Sequence, residues 1–508
     1  MPQMTNRIES LVAPLALASA VGGSLFIASG AAAPRAAVAV SAHAAVATEA
    51  GRSMIGIDAV CMAEIPGVPM SLCFAPGTSS EEIAQVTQRL AATWANDLEL
   101  RDAAEEGGVS YQLGTRWNIN GSSAQGAPVT LRWSMPADGL SIADGVFGGA
   151  ASPNNLNATF TTKFGSVEAG KNLLRQVFQR WADLSGVAYT EVTDDGAAFP
   201  NSSGGATRGD IRIVGRTFGA TGVLAYNYFP NNGDMVIVTS NSNSWSAANN
   251  NRYFRNIIAH EHGHGLGFDH VCPISQTKLM EPFASSAFDG PQADDIRCVQ
   301  RAYGDNYEPN DTAATATTTA LNASGTTSLL NVSLDDNLDV DFYKFAATAG
   351  STINVSLQAP GTTYLSGPQN ADGSCSAGTS LNARTIHNMD FQVLRGATGS
   401  TVVATVAAAA AGSTESVTGL VLPATDTYFI RVFPSTTTDD VQMYTLVTTI
   451  NLAPETPGDV NNDGIVNGAD LGILLASWGP VACGSIYDLN GSCTVDGADL
   501  GILLANWG

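Results

Sequence analysis

The stretch IIAHEHGHGLGFDH, residues 257–270, contains four of the six histidines of the chain. On a helix, His260 and His264 are about one turn apart, so both imidazoles project from the same face and can bind one ion. His270 would lie on the wrong face of a continuous helix. Gly267 removes this difficulty, because glycine accepts the left-handed conformation that ends a helix and lets the chain turn back. We therefore predict that the three histidines bind one metal ion.

The chemistry of this ligand set indicates a catalytic zinc site. Three neutral imidazoles leave one coordination position of a zinc ion open, whereas structural sites are closed by protein ligands. Glu261 is placed to take a proton from a water molecule in that position and to pass it to a leaving amine. His262 points to another side of the helix and is predicted not to bind the metal. A histidine-rich surface loop is the alternative, but it explains neither Glu261 nor Gly267.

The motif HExxHxxGxxH resembles that of the metzincin metalloproteases, and three further segments support the resemblance. TKLMEPF resembles the Met-turn, which implies a hydrophobic floor beneath the zinc ion at Met280. DDIRCVQRAYG, residues 294–304, resembles the closing helix of the matrixin branch, the matrix metalloproteases. GVLAYNYFP resembles the matrixin edge strand, which pairs with the substrate. The resemblance implies an α+β metzincin catalytic domain at 109–304. The substrate-binding residues that it implies are Leu224, Ala225, Met280 and Pro282.

The sequence departs from the matrixin pattern at several positions. Tyr226 stands where matrixins often have a histidine for a second, structural zinc ion, so we predict a single zinc ion. Glu281 replaces the usual tyrosine after the Met-turn methionine, which predicts a pocket of different polarity beside the zinc ion. Asp294 or Asp295 either holds an N-terminal amine freed by processing, as the resemblance implies, or is a solvated residue at a helix start.

The N-terminal residues predict export. Arg7 precedes an apolar stretch, and small residues offer a cleavage site, which gives a secretory signal over residues 1–33. A second candidate signal ends at Ala47. No later segment is long and apolar enough to span a bilayer, so we expect a secreted protein without a membrane span once the signal is removed.

Residues 48–108 are predicted to form a propeptide-like region that contains one helix. Cys73 in this region either acts as an inhibitory thiolate on the zinc ion or forms a disulfide bond with Cys61. Export permits disulfide bonds, and the spacing of the seven cysteines suggests three close pairs. The expected pairs are Cys61 with Cys73, Cys272 with Cys298, and Cys483 with Cys493, which leaves Cys375 alone.

Length, charge and composition narrow the classes of fold and function. At 508 residues the chain is too long for one core, so several domains are expected. The net charge of −23 argues against a nucleic acid or anionic lipid partner. Residues 305–456 are rich in small and polar residues and contain short alternating segments such as TINVSLQA, which predicts an all-β sandwich.

Two segments of this sandwich, YEPNDTAATAT and LPATDTYFIRV, resemble the bacterial pre-peptidase C-terminal domain. Asp339 and Asp341, together with Glu308 and Asp311, offer carboxylate oxygens that suit a calcium ion. These residues either bind calcium or are ordinary turn acids.

The last fifty or so residues contain an internal repeat. GADLGILLASWG at 468–479 returns as GADLGILLANWG at 497–508, a period of 29 residues. The segment before each copy has the spacing of an EF-hand calcium loop. The predicted ligands of the first loop are Asp459, Asn461, Asp463, Ile465, Asn467 and Asp470. Those of the second, weaker loop are Asp488, Asn490, Ser492, Thr494, Asp496 and Asp499.

Cys493 replaces the glycine of the second loop, so either this loop binds calcium more weakly or a bond to Cys483 holds it instead. Two such halves resemble a type I dockerin. The resemblance implies a small α module at 457–508 that binds calcium and a cohesin-type partner.

Together these features predict an exported, multidomain zinc endopeptidase that acts on proteins or peptides, with one zinc ion and one or two calcium ions in the repeat. The C-terminal module would attach the protein to a cell surface. The alternative is a catalytically inactive metzincin scaffold that works as an extracellular binding or assembly protein, and the intact Glu261 argues against it. A third class, an enzyme acting on a non-protein polymer, is disfavoured by the edge strand.

Overall fold

The computed structural model describes residues 68–75, 78–93, 111–118, 124–144, 149–201, 204–219, 222–318, 321, 324–370, 374–453 and 456–508. The predicted signal sequence, both of its candidate ends and Cys61 lie outside these residues. Within them, every helix is too short or too polar to cross a membrane.

The N-terminal part of the described chain contains a mixed six-stranded sheet with helices packed against it. Its elements are β1 (Met70–Phe74), α1 (Ser80–Thr93), β2 (Val129–Ser134), β3 (Ser141–Ile142), β4 (Ser152–Pro153), α2 (Leu156–Phe164), α3 (Val167–Ala182), β5 (Val187–Glu191), β6 (Ile211–Arg216), β7 (Val223–Tyr228), β8 (Met235–Val238), a 3-10 helix (Thr239–Ser244), α4 (Ala248–Gly265), β9 (Val271–Cys272) and α5 (Ala293–Tyr303). The strand order is β1-β7-β8-β6-β2-β5. β8, β6, β2 and β5 are parallel, whereas β7 and β1 are antiparallel to their neighbours.

The helix α3 follows from its hydrophobic period. Leu174, Val177, Phe178 and Trp181 fall on one face, and all four are buried, as predicted. Ser166 begins the helix, because its side chain accepts a hydrogen bond from the backbone N–H of Ala169.

The helix α4 carries the histidine motif. Three asparagines near its start, at 249–251, have φ between 53° and 56°, so the regular helix begins after them. It ends where the sequence predicts: Gly267 has φ of 101°, and a Cβ atom at this position would overlap the carbonyl oxygen of Thr115. Only glycine fits both requirements, and the resulting turn brings His270 back beneath the helix.

The predicted all-β sandwich follows. Its strands are β10 (Gly325–Leu334), β11 (Asp341–Ala347), β12 (Thr352–Gln358), β13 (Thr363–Pro368), β14 (Thr379–Asn382), β15 (Met389–Arg395), β16 (Thr401–Val406), β17 (Glu415–Val421), β18 (Asp426–Pro434) and β19 (Gln442–Asn451). Two antiparallel sheets, β10-β19-β12-β17 and β11-β18-β15-β16, pack face to face. Alternate residues of strands such as β12 are buried, which is the pattern expected of this architecture.

A third, small sheet joins the two regions. The order β14-β13-β9 places β9, which follows the histidine motif directly, against the β13–β14 hairpin of the sandwich region. The disulfide bond here is Cys272–Cys375, so the expected pairing of Cys272 with Cys298 is wrong. Cys298 is buried and keeps its thiol, which points to the carbonyl oxygen of Gln112. Pairing cysteines by their closeness in sequence failed here, because the fold brings Cys272 into contact with a cysteine 103 positions away.

The repeat forms two short helices, α6 (Gly468–Ala476) and α7 (Gly497–Ala505), and a strand pair, β20 (Gly479–Pro480) and β21 (Thr494–Val495). Its small core contains Val466, Leu474, Val495 and Leu503, two residues from each half. The expected Cys483–Cys493 disulfide bond is present.

The loop between β9 and the Met-turn is organised by Glu281. Its carboxylate accepts hydrogen bonds from the backbone N–H groups of residues 275–278, at 2.6 to 3.1 Å, and its Oε1 lies 3.0 Å from the Lys278 ammonium. Burial alone would raise the pKa of this carboxyl, but the Lys278 charge and the N–H donors hold the pKa below its ordinary value. Glu281 is buried in its own loop, which corrects the expectation that it changes the polarity of the zinc pocket.

We expect Glu281→Gln to destabilise the protein by about 1.5–3 kcal/mol at neutral pH. The NH₂ group of the glutamine side chain would face the backbone N–H groups of the loop, and some of these donors would lose their acceptor. The Glu281 pKa is lower in the folded state, so its contribution is complete above the unfolded pKa of about 4.3 and is lost as pH falls through the folded value. Urea unfolding at several pH values should therefore show a difference in the free energy of unfolding between wild type and variant that disappears in acid. Glu168→Gln, at an exposed ion pair, is the control, and an equal loss there would contradict the assignment.

Candidate active site

Three imidazoles converge below the end of α4. His260 and His264 project from one face of the helix, and the turn at Gly267 adds His270. The Nε2 atoms of His264 and His260, and of His264 and His270, are 3.1 Å apart, and those of His260 and His270 are 3.3 Å apart. All three side chains are buried.

The outer nitrogen of each ring has its own hydrogen-bond acceptor. The Nδ1 of His260 lies 2.7 Å from the carbonyl oxygen of Leu279, and that of His264 lies 2.6 Å from the carbonyl oxygen of Phe268. The Nδ1 of His270 lies 2.9 Å from the side-chain Oε1 of Gln369. An acceptor at Nδ1 places the proton of a neutral ring there, so the three Nε2 lone pairs face one another.

This donor set fits a zinc ion. Burial lowers the pKa of His260 to about 4, so the ring is neutral near pH 7. Three unprotonated nitrogens in contact repel one another unless a cation lies between them. With zinc–nitrogen bonds of about 2.0–2.1 Å, a tetrahedral site separates neighbouring ligands by about 3.3 Å, close to the spacing observed.

Glu261 lies beside the cluster. Both of its carboxylate oxygens are buried, and neither has a hydrogen-bond partner among the residues that the structure describes. Burial, and then the nearby Cys73, raise the pKa of Glu261 well above its ordinary value. Such a carboxylate is suited to accept a proton near neutral pH.

Met280, predicted to lie beneath the zinc ion, packs against α4. A Cβ atom on Gly263 would overlap the Sδ of Met280, so α4 and the Met-turn are in direct contact. Pro282, two residues on, is also buried. Asp295 fixes the Met-turn, because its carboxylate accepts the N–H groups of Leu279 and Met280 at 2.7 and 2.9 Å.

One expectation about the helix start of α5 needs correction. Asp294 and Asp295 are both 1% exposed, so neither is a solvated residue. Asp294 accepts the hydroxyl of Tyr364 at 2.6 Å, while Asp295 is used by the Met-turn. Both carboxylates already accept hydrogen bonds in the unprocessed chain, and a contact with an N-terminal amine freed by processing stays a prediction.

The strand expected at the edge of the sheet is not at the edge. β7 contains Leu224 and Ala225, but β1 pairs with it on its outer side, with Cys73 opposite Ala225. A ligand atom of Cys73 lies within 4.8 Å of ligand atoms of His260 and Glu261. The propeptide-like region thus occupies the position expected for a substrate strand, a contact that the sequence did not reveal.

Two residues near the motif lie outside the cluster. His262 contacts the Tyr189 hydroxyl through Nε2 at 2.7 Å and packs edge-on against Phe178. Burial lowers the pKa of His262 to about 3, which keeps it neutral. Tyr226 is buried against Phe218, so an aromatic contact occupies the position of the matrixin histidine.

A second group of acids lies where the sandwich begins. Ligand atoms of Glu308, Asp339 and Asp341 lie within 4.8 Å of one another. One oxygen each of Asp339 and Asp341, and both polar side-chain atoms of Asn310, are buried without a hydrogen-bond partner among the described residues. Burial and the neighbouring acids raise the pKa of Glu308 to about 8. Sequence reasoning missed Asn310, although it stands between two of the acids that it named.

The two loops of the repeat differ. In the first, Asp459, Asp463 and Asp470 bring ligand atoms within 4.8 Å of one another, and Gly464 takes φ of 92° at the sharp turn. Asn461 Oδ1 accepts the N–H of Asp463, and the Ile465 carbonyl accepts the Asn467 amide.

In the second loop, Cys493 takes the left-handed conformation of the missing glycine, with φ of 63°. Asp488 and Asn490 both accept the N–H of Ser492, whose hydroxyl donates to the Thr494 carbonyl. Asp496 begins α7, and Asp499 accepts the N–H of Asn490.

Comparisons with known proteins agree with this geometry. Residues 156–304 match the Matrixin family, and residues 339–434 match the Bacterial pre-peptidase C-terminal domain. The chain is 29% identical over 176 residues to the Hatching enzyme of Paracentrotus lividus, covering 31% of this chain and 28% of that protein. It is 26% identical over 219 residues to Serralysin A of Dickeya chrysanthemi, covering 38% of this chain and 42% of that protein. Both matches span less than half of the relative.

Among solved structures, PliG from Aeromonas hydrophila, a periplasmic lysozyme inhibitor, matches with a TM-score of 0.17 and 16% identity, covering 25% of this chain and 88% of that chain. A likeness this low carries no conclusion about fold or function. The two family matches, by contrast, coincide with the region of the three clustered histidines and with the sandwich. The chain therefore contains a matrixin domain followed by a bacterial pre-peptidase C-terminal domain.

Proposed function

We propose that this protein is a secreted zinc endopeptidase that hydrolyses peptide bonds. The observation that carries the proposal is the convergence of His260, His264 and His270 beside a buried carboxylate, Glu261, that has no other described partner. The domain boundaries inferred from the sequence, including a signal over 1–33, and a single zinc ion are part of this proposal.

His260, His264 and His270 would hold the ion. A zinc ion bound by three imidazoles supplies an activated water molecule and a Lewis acid for the substrate carbonyl. Glu261 would act as the general base towards the attacking water and would then return the proton to the leaving amine nitrogen. Met280 supports the ligands from below, and Asp295 holds the Met-turn in place.

The strand β7 supports a peptide as the substrate. Its outer side hydrogen-bonds to an extended segment, β1, in antiparallel register. An extended substrate could use the same backbone groups of Leu224 and Ala225 once β1 is removed. A non-protein polymer lacks the regular N–H and C=O spacing that this edge requires.

We expect Glu261→Gln to retain zinc and to lower the rate of peptide cleavage by about 10²–10⁴-fold, because it removes the proton acceptor and leaves the ligands. Metal analysis and cleavage of a fluorogenic peptide measure the two effects separately. Glu168→Gln on α3 is the control for the same change at an exposed site. Cleavage that persists in Glu261→Gln, or after zinc is removed by a chelator, would refute the mechanism. A processed, zinc-loaded wild type without activity would favour the inactive scaffold instead.

We further propose that residues 48–108 act as an inhibitory pro-segment. β1 covers the side of β7 that the substrate needs, and Cys73 lies against His260 and Glu261. These contacts support the inhibitory role of Cys73 considered above.

We expect the unprocessed chain to be latent and Cys73→Ala to raise its basal cleavage by roughly tenfold, the effect of losing about 1.4 kcal/mol of binding between β1 and the site. Cleavage by the unprocessed chain is compared with that after limited proteolysis. Cys298→Ala, the same change at another buried cysteine, is the control. Unprocessed wild type that is as active as the processed protein would contradict the proposal.

We also propose calcium sites in the acidic cluster of the sandwich and in the repeat. In the cluster, the close carboxylates and the buried atoms of Asn310 suit a hard cation. In the repeat, the first loop has three clustered carboxylates. The second loop is held by its disulfide bond, and we propose that it binds calcium more weakly.

A cohesin-type domain is the partner proposed for the repeat. Leu475 and Trp478 of the first half are 49% and 50% exposed, and their counterparts Leu504 and Trp507 are 51% and 47% exposed. This duplicated apolar surface is what a protein partner would cover, and it would attach the enzyme to a cell surface.

We expect a calcium chelator to lower the melting temperature at pH 9 and to have less effect at pH 6. The sign follows from the raised pKa values of the cluster: burial and the neighbouring acids raise the pKa of Glu308 to about 8 and those of Asp339 and Asp341 well above their ordinary values. These acids stabilise the fold while protonated, and as pH rises through their folded pKa values their charges repel unless calcium is bound. Asp341→Asn should reduce the effect of the chelator on the melting temperature at pH 9. Asp463→Asn should leave that effect unchanged and remove calcium binding by the repeat. A chelator effect that is the same at both pH values would contradict the cluster site.

A further inference from the structure

The third histidine of the zinc-binding cluster depends on a distant part of the chain. His260 and His264 bond to backbone carbonyl groups within the matrixin domain, from Leu279 and Phe268. The acceptor for His270 is the side chain of Gln369, 99 residues further on and inside the region that matches the pre-peptidase C-terminal domain.

The register of the small sheet explains this contact. β9 and β13 are antiparallel, with Cys272 opposite Gly367 and Val271 opposite Pro368. Continuing the same register by one residue places His270 opposite Gln369. The contact therefore follows from backbone pairing, and it is not an accidental meeting of two surface side chains.

A covalent bond holds this register. Cys375 lies opposite Gln369 in a β-bridge and is bonded to Cys272, two residues after His270. The disulfide bond thus fixes both partners of the His270–Gln369 contact.

Buried polar contacts add to this attachment on the side of α5. The Asp294 carboxylate accepts the hydroxyl of Tyr364, and Arg297 forms a 2.6 Å ion pair with Asp440. The side chain of Arg297 is 1% exposed. The two domains are therefore joined by specific polar contacts, of which the Arg297–Asp440 ion pair is buried.

We propose that Gln369 is a positioning residue for the zinc site, and that the sandwich is through it a functional part of that site. By accepting the Nδ1 proton of His270, the amide oxygen fixes the tautomer and the orientation of the ring, so that Nε2 is directed at the ion. This inference rests on the proposed zinc-dependent function.

The test is zinc affinity of the full-length protein, measured by competition with a chromogenic chelator and without substrate. Gln369→Leu keeps the volume and removes the acceptor, so it should weaken zinc binding by about 10–100-fold. Gln369→Glu retains an acceptor oxygen and should restore most of the affinity. Gln358→Leu, the same change at an exposed position on β12, should bind zinc like wild type.

A second pair of variants tests the tether. The double variant Cys272→Ser and Cys375→Ser should release zinc faster than wild type, because the register near His270 is no longer fixed. The double variant Cys483→Ser and Cys493→Ser removes the other disulfide bond and should release zinc at the wild-type rate. Unfolding of the zinc-free proteins shows whether each variant is folded.

The outcomes separate this inference from the proposed activity. If the wild type cleaves peptides and a folded Gln369→Leu variant binds zinc with wild-type affinity, the inference is overturned and the proposed peptidase activity stands. Weakened zinc binding in a protein that cleaves nothing supports the inference and overturns the activity. A wild type that does not bind zinc through the three histidines overturns both.

Discussion

The convergence of three neutral imidazoles on one point, with their Nε2 atoms 3.1 to 3.3 Å apart, is the constraint on which the candidate site depends. Unprotonated ring nitrogens within 3.3 Å of one another repel unless a cation lies between them, which is the reason that the proposed zinc ion suits this cluster. Each neighbouring feature serves this convergence: a helix supplies two rings, a glycine turn returns the third, and separate acceptors fix the three tautomers. The Met-turn lies beneath the rings because a glycine in α4 leaves room for its sulfur atom.

Local patterns predicted much of this. The hydrophobic period of α3 predicts its buried face, and the need for a positive φ at Gly267 predicts the turn that the structure contains. The spacing of His260 and His264 predicts that they share a face. These features depend on neighbours within a few positions, so the sequence alone carries the information.

Two of the features that sequence reasoning missed are long-range contacts. The partner of Cys272 is 103 residues away, and the pairing of β1 with β7 joins segments separated by about 150 residues. The role of Glu281 was predicted from the tyrosine that matrixins usually have at this position, whereas its actual contacts are with the N–H groups of its own loop. No local signal reports which strand lies beside which. The density of acids between 305 and 341 was visible, but their burial, which raises their pKa values, was not.

The small sheet shared by β9 and β13 also bears on how such a protein can change during evolution. Multidomain enzymes are commonly regarded as cassettes that recombine freely through their linkers. Here a strand of one domain is completed by the hairpin of the next, so an exchange of the C-terminal domain for an unrelated one would leave unpaired backbone groups next to the catalytic motif. A replacement domain would therefore need an equivalent hairpin to pair with β9.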